Sequence, residues 1–320
     1  MKKHLFICFT RLQLLISERI IETEFRSDDL VECIYLNSSL GPLNLPDTSN
    51  WLKPTSKFKE INLIGGRFFA ILKILWNCSG YQCSTVYLAS IENFFVHLVL
   101  SKIRFNQICT FDDGSGNIDP FSGFYVNHEG SFLKKFVKSV LQVNYDLTKV
   151  KSLSNVHYSI FRSPYNVIEN IKIINFSPKR PRSVDYQESS TASIFLGTVF
   201  SELTVSDPGH ALRWCVEHLS GIDHAKFYIP HPRERKVRNL NEFTTVVDLM
   251  SAEEAIIDLL NKFEYVVVYG FMNTTQLLFA NETRVFCKVF EIAGNGRSAE
   301  LCKRVRFANE VEIIEMQFRK

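Results

Sequence analysis

The chain has 320 residues, 46% hydrophobic and 22% charged, proportions that fit two globular domains and exclude a coiled coil, a collagen, a disordered scaffold and a small disulfide scaffold. Lys plus Arg number 37 against 34 for Asp plus Glu, a formal +3, too small a bias to predict a nucleic-acid-binding face. No apolar run is long enough to span a bilayer, which excludes a polytopic membrane protein.

Residues 5–9 form a short apolar run suited to a central parallel strand. Lys2 and Lys3 ahead of it imitate a signal peptide, but Arg11 and Gln13 break the run and no small-residue cleavage site follows. Thr10 is placed to cap a helix whose Leu12, Leu15, Ile16, Arg19 and Ile20 have helical spacing. A second strand is expected at 32–36, then a loop marked by Ser38, Gly41, Pro42 and Pro46. Residues 67–76 read as a helix, 85–89 as a strand, 92–100 as a helix and 107–111 as a strand ending in Asp112-Asp113-Gly114. This alternation predicts an α/β domain with a mostly parallel sheet.

Around 175–191 the composition turns polar and proline-containing (Pro178, Lys179, Arg180, Pro181), the expected linker. The pattern then restarts, with strands at 193–196, 226–229 and 265–269 and helices at 212–219 and 252–260. The division expected is residues 1–175, a linker 176–191 and a second domain 192–320, with a last helix free to pack back on the first domain. The eight cysteines mostly sit in apolar surroundings and lack zinc spacing, so they read as reduced, buried thiols of a cytosolic protein.

Two segments place polar groups where strands end, the edge at which ligands bind in open α/β sheets. In Asp112-Asp113-Gly114-Ser115-Gly116-Asn117, adjacent carboxylates raise at least one pKa toward the range of a general base. A glycine-rich turn capped by Asp112 accounts for the same residues more simply. In Pro230-His231-Pro232-Arg233, prolines hold His231 in place beside Arg233, offering donors for a phosphate; a rigid surface loop is the equal alternative. Asn273-Thr274-Thr275 fits a phosphate seat at a helix start, or a plain N-cap. Lys303, Arg304 and Arg306 read as a solvated face, with a peripheral membrane contact as the secondary reading. The sequence has no GxGxxG after the first strand, no P-loop and no GxSxG elbow.

Residues 87–92 (Tyr-Leu-Ala-Ser-Ile-Glu), Thr110 through Asn117, His157-Tyr158-Ser159-Ile160-Phe161 and Pro230-His231-Pro232-Arg233 follow one another in an order that resembles glycosyltransferase family 52. The opening Phe9-Thr10-Arg11-Leu12-Gln13 is also similar to the start of that family's catalytic region. Its best-known members are bacterial sialyltransferases acting on lipooligosaccharide or capsule.

The resemblance implies an α/β GT-B fold, two Rossmann-like domains facing each other across a nucleotide-sugar cleft. It implies an inverting transfer from CMP-N-acetylneuraminic acid to a terminal galactose, without metal or cofactor. Asp113 is then the expected base and His231 the residue meeting the CMP phosphate, with Pro232, Arg233, Thr274, Thr275, Gly197 and Thr198 on the donor side. Thr10, Gln13, Asp112, Gly114 and Asn117 fall to the acceptor side or to structure. One departure stands out: where related sialyltransferases carry an Asp after a Leu-Gly-Ser strand end, this chain reads Leu196 through Glu202 without one, making Glu202 the second candidate base. The expected partners are the nucleotide sugar and a galactose-terminated glycan, with no nucleic acid. A homodimer fits the family, and the expected location is the cytoplasm or the inner face of the membrane. The rival readings are another nucleotide sugar, as in a glucosyltransferase, and a non-catalytic glycan-binding subunit.

Overall fold

The computed structural model describes residues 2–37, 57–125, 132–176, 191–200, 203, 208–231, 240, 243–245, 251–294 and 296–316. The chain divides into two compact units, Met1–Phe176 and Ser177–Lys320.

In the first unit, β1 (Lys3–Cys8) is buried along nearly its whole length, as a strand covered on both faces must be. It pairs in parallel with β2 (Leu30–Asn37) on one side and β4 (Thr85–Leu88) on the other. Beyond β2 lies β3 (Lys57–Asn62); beyond β4 lie β5 (Gln107–Phe111), β6 (Ser154–Ser159) and β7 (Ile171–Ile173). The order β3-β2-β1-β4-β5-β6-β7 places the topological switch between β1 and β4. Helix α1 (Arg11–Glu24) starts where expected, because Thr10 Oγ1 accepts from Gln13 N–H at 3.2 Å.

Helix α2 (Arg67–Cys78) and helix α3 (Phe94–Lys102) cover one face of the sheet, sharing a core with Leu5, Ile7, Ile34 and Leu88. The start of α3 lies two residues after the sequence expectation because Asn93 accepts from Phe95 N–H and so fixes the cap. Helices α4 (Phe132–Val140) and α5 (Leu147–Leu153) follow β5. The sequence reading missed β3, whose KFKEIN is largely exposed and carries no apolar alternation, and it missed both of these lysine-rich helices.

The second unit repeats the design, with β8 (Thr191–Leu196), β9 (Ala225–Ile229), β10 (Thr244–Thr245), β11 (Tyr265–Phe271), β12 (Val285–Ile292) and β13 (Glu312–Met316). The order β10-β9-β8-β11-β12-β13 is parallel throughout, with the switch between β8 and β11. Helices α6 (Pro208–Ser220), α7 (Ala252–Lys262), α8 (Thr274–Leu278) and α9 (Arg297–Arg304) complete the described elements. The last described element is thus a strand, and β13 pairs with β12 from Lys288↔Glu312 onward. The linker expected at 176–191 falls almost wholly outside the described residues.

Candidate functional site

The sheet of the first unit brings three loops together at its carboxyl edge. Gln13 follows β1, Ser90 and Glu92 follow β4, and Asp113 follows β5. Gln13 Nε2 donates to Asp113 Oδ1 at 2.6 Å and to Ser90 Oγ at 3.1 Å, and Ser90 Oγ donates to Asp113 Oδ2 at 2.8 Å. Gln13 Oε1 accepts from Phe9 N–H at 2.7 Å, so the amide is held at both ends. A partly exposed carboxylate is thereby fixed in orientation at the switch point. Burial pushes the Asp113 carboxyl above the usual carboxylate range, the Asp112 carboxylate adds to this, and the Gln13 and Ser90 donors draw it back.

Asp112 has a different part. It is wholly buried, and it accepts from His157 Nε2 at 2.9 Å, Ser159 Oγ at 2.8 Å and Ile160 N–H at 2.7 Å. His157 Nδ1 lies 2.9 Å from Thr110 Oγ1, which lies 2.7 Å from Ser154 Oγ. The pair of acids therefore splits: Asp112 ties β5 to β6 inside the core, and Asp113 faces outward. Gly114 permits the split by taking φ +59°, and Asn117 Oδ1 accepts from Asp113 N–H at 2.9 Å. The Asn117 side chain is buried, and its Nδ2 has no partner among the described residues.

Sequence reasoning missed Glu92 as a chemical group. Desolvation by the surrounding protein pushes its carboxyl up to about 7, and the Asp113 carboxylate adds to that shift. A carboxylate two residues before an apolar helix carries no signal of chemistry in the sequence; only the sheet order shows that it shares an edge with Asp113.

In the second unit the carboxyl ends of β8, β9, β11 and β12 surround a recess of about 250 Å³. It brings Thr198 and His231 together with Glu291, Arg297 and Ser298. Gly197 allows the close passage of β8 and β9 there: a Cβ would meet His231 N at 2.9 Å, Ile229 O at 3.0 Å and Tyr228 Oη at 3.0 Å. Glu291 is buried, and Oε1 accepts from Ser298 N–H at 2.9 Å in the first turn of α9, so this helix start already holds a carboxylate. Glu291, Arg297 and Ser298 belong to no motif and were not foreseen.

Thr274 and Thr275 do not line the recess. Thr275 Oγ1 instead donates to Glu253 Oε1 at 2.7 Å, both side chains being buried, and Asn273 caps α8 by accepting from Gln276 N–H. The N-cap alternative therefore describes this segment. Glu202, Pro232 and Arg233 lie outside the described residues. Of the C-terminal basic cluster, Lys303 and Arg304 both pair with Glu300, at 3.9 and 3.3 Å. Among the described residues no group of His, Cys, Asp and Glu is arranged to hold a metal ion, and no helix is long and apolar enough to cross a membrane.

The sequence profile of glycosyltransferase family 52 matches residues 55–293. The match takes in the segments around Glu92, Asp112, His157 and His231, whereas Thr10 and Gln13 precede it. A CMP-N-acetylneuraminate:beta-galactoside alpha-2,3-sialyltransferase of Pasteurella multocida is 26% identical over 72% of this chain and 73% of its own. An N-acetyllactosaminide alpha-2,3-sialyltransferase of Haemophilus influenzae is 24% identical over 72% of this chain and 74% of its own. Among solved structures, a spinosyn forosaminyltransferase superposes with a TM-score of 0.53 at 12% identity, covering 98% of this chain and 85% of that one. That likeness speaks to the fold alone, which is α/β of the GT-B class with two Rossmann-like units.

Proposed function

Because the chain belongs to glycosyltransferase family 52, we propose that it is an inverting sialyltransferase, moving N-acetylneuraminic acid from its CMP ester to the 3-hydroxyl of a terminal galactose on a bacterial surface glycan. The named relatives support both the donor and the linkage. The observation that carries the reading is the Gln13–Ser90–Asp113 cluster: a carboxylate with a raised pKa, fixed by two donors at a sheet switch point.

In this reading the reaction breaks the bond between the sialic acid anomeric carbon and the CMP phosphate oxygen. It forms a bond from that carbon to the galactose oxygen, whose proton passes to Asp113. Positive charge develops on the sugar ring and negative charge on the leaving phosphate. Asp113, held by Gln13 and Ser90, needs little reorganisation to accept the proton. The Asp113 carboxylate in turn helps to hold the neighbouring Glu92 carboxyl above its ordinary range. The second unit is assigned the donor: His231 and Thr198 donate to the phosphate as its charge grows, and Gly197 keeps His231 close to β8. The Glu291 carboxylate is suited to accept from ribose hydroxyls rather than to face the phosphate. No metal or cofactor is assigned a role.

The test is CMP release from CMP-N-acetylneuraminic acid with and without lactose, for wild type and for Asp113→Ala, Glu202→Ala and His231→Ala. Lactose-dependent release by wild type is expected, silent in Asp113→Ala and lowered in kcat by roughly 100-fold in His231→Ala. A silent Glu202→Ala beside an active Asp113→Ala would move the base to Glu202. CMP release from no variant, together with a melting temperature raised by UDP but not by CMP, would replace the donor.

A further inference from the structure

We propose that His97 of α3 is a positioning residue for Asp113, acting through the loop after β4: it holds Ile91 so that Ser90 keeps its hydroxyl on the carboxylate. The proposal rests on the reading of Asp113 as the base. The loop from Ala89 to Asn93 is closed by its own backbone, with Ile91 N–H donating to Ala89 O at 2.8 Å and Asn93 N–H to Ser90 O at 3.1 Å. Neither bond uses Ile91 O, and Ile91 is wholly buried, so this carbonyl needs a donor from outside the loop. His97 supplies it, one turn into α3, with Nε2 at 2.8 Å from the oxygen. A carbonyl only accepts, so the ring proton sits on Nε2.

The histidine is costly where it stands. Val96, Leu98, Val99 and Leu100 around it are all buried, and His97 itself is 3% exposed. Its Nδ1 is buried with no partner among the described residues. Burial lowers its pKa, the bond to Ile91 O draws it back, and Lys138 of α4 and Asp146 at the start of α5 act in opposite senses. An apolar side chain would suit the same place without an orphaned nitrogen; what the ring adds is one hydrogen bond, to Ile91 O. A local rule broken inside a core is expected where it serves a site. Here the served residues are the two beside Ile91. Ser90 Oγ donates to Asp113 Oδ2 at 2.8 Å and accepts from Gln13 Nε2 at 3.1 Å, and Glu92, on the other side, feels the Asp113 charge. Hydrogen bonds weaken steeply with misalignment, so a loop released at Ile91 would not keep Ser90 on the carboxylate. His97 touches no reacting atom and acts only through this loop.

The experiment takes pH profiles of lactose-dependent CMP release for wild type, His97→Leu, His97→Gln, Ser90→Ala and the double variant His97→Leu/Ser90→Ala. His97→Leu should lower kcat by roughly tenfold or more, with KM for CMP-N-acetylneuraminic acid within about twofold of wild type, because the donor is assigned to the second unit. The limb that reports the base should move to higher pH in His97→Leu, as in Ser90→Ala, since losing the Ser90 donor raises the Asp113 pKa. His97→Gln, long enough to donate to Ile91 O, should restore both kcat and the limb. The double variant should be no slower than Ser90→Ala alone. A folded His97→Leu with the wild-type kcat and limb would overturn the proposal. So would losses that add up in the double variant, which would place the effect of His97 elsewhere. If His97→Leu does not fold, His97→Asn, too short to reach Ile91 O, takes its place under the same expectations. If wild type transfers no sialic acid, the reading of Asp113 as the base fails, but the positioning is still decided without turnover. The Asp113 carboxyl, followed by carbon NMR and assigned through Asp113→Asn, should then titrate at higher pH in His97→Leu than in wild type, and an unchanged midpoint would overturn the proposal.

Discussion

His157 Nε2 donates to Asp112 Oδ1 across 2.9 Å, with both side chains wholly enclosed. This contact gives two adjacent acids separate work. Asp112 accepts three hydrogen bonds inside the core, and the next residue in the chain is left at the edge of the sheet with a partly exposed carboxylate.

The two acids should therefore fail differently. Asp112→Ala leaves the buried donors of His157, Ser159 and Ile160 without their acceptor, and it should cost about 3 kcal/mol or more of stability. Asp113→Ala takes the acceptor from the Gln13 amide and the Ser90 hydroxyl but also removes a charge that burial disfavours, so it should cost less, about 1–2 kcal/mol. Urea denaturation of the two variants, set beside lactose-dependent CMP release, checks this. Equal destabilisation by both would remove the separation drawn between them.

Gly197→Ala tests the close passage of β8 and β9. The added methyl would stand 2.9 Å from His231 N and 3.0 Å from Ile229 O, both backbone atoms that cannot swing away. A loss of about 1–3 kcal/mol is expected from this overpacking. The shift in melting temperature caused by CMP should shrink as well, because the displaced residue is His231. A variant that melts and responds to CMP as wild type does would show that the strands tolerate separation.

The fold was legible wherever burial imposes a simple pattern. The apolar run Leu5–Cys8 of β1, the Val-rich β11 and the capped α1 declare themselves, because a strand covered on both faces or a helix with a side-chain cap leaves a local signature. Strand β3 left none, being a lysine-bearing strand at the edge of its sheet. At the site, Asp113 and His231 were visible because each follows a recognisable strand within a short motif. Gln13, Gly197 and Thr198 beside them were named only through the family resemblance, and Glu92, Glu291, Arg297 and Ser298 were not named as site residues at all. Ser90 and Glu92 come to the edge that holds Asp113 only through the order of β1, β4 and β5, and Arg297 and Ser298 line one recess with His231 only through the placement of β12. Such proximity is set by sheet topology, which no local pattern encodes. Thr275 shows the opposite error, since a hydroxyl that suits a phosphate in sequence is engaged by the buried Glu253.

Glu92 should make stability depend on pH. Its carboxyl is raised to about 7 from an ordinary 4.5. Below 4.5 it is protonated in both the folded and unfolded chain and adds no penalty. As pH rises through about 7, the folded chain must hold an ionised carboxylate in a desolvated place beside Asp113, and stability is lost. Glu92→Gln should accordingly melt with wild type at about pH 4.5 and above it at about pH 8. The gap should narrow in an Asp113→Asn background, where the neighbouring charge is gone. A gap that is the same at both pH values would mean that Glu92 titrates normally.

Gln13→Glu offers the sharpest probe of the proposed base. The new side chain keeps an acceptor for Phe9 N–H, so the entry into α1 is preserved, but it replaces the amide that donates to Asp113 with a second negative charge. Losing a donor and gaining a like charge both raise the Asp113 pKa further. The limb of the pH–rate profile that reports the base should then move to higher pH by about one unit or more, with kcat lowered at neutral pH. Binding of CMP, assigned to the second unit, should be unchanged. Gln13→Leu would remove the donor without adding charge, leaving Phe9 N–H unpaired, and should lower kcat with a smaller displacement of the limb. Profiles of kcat/KM against pH for the three proteins separate these effects. If the limb stays in place in Gln13→Glu while kcat falls, the titrating base is some group other than Asp113, and the cluster serves only to hold the loops after β1, β4 and β5 together.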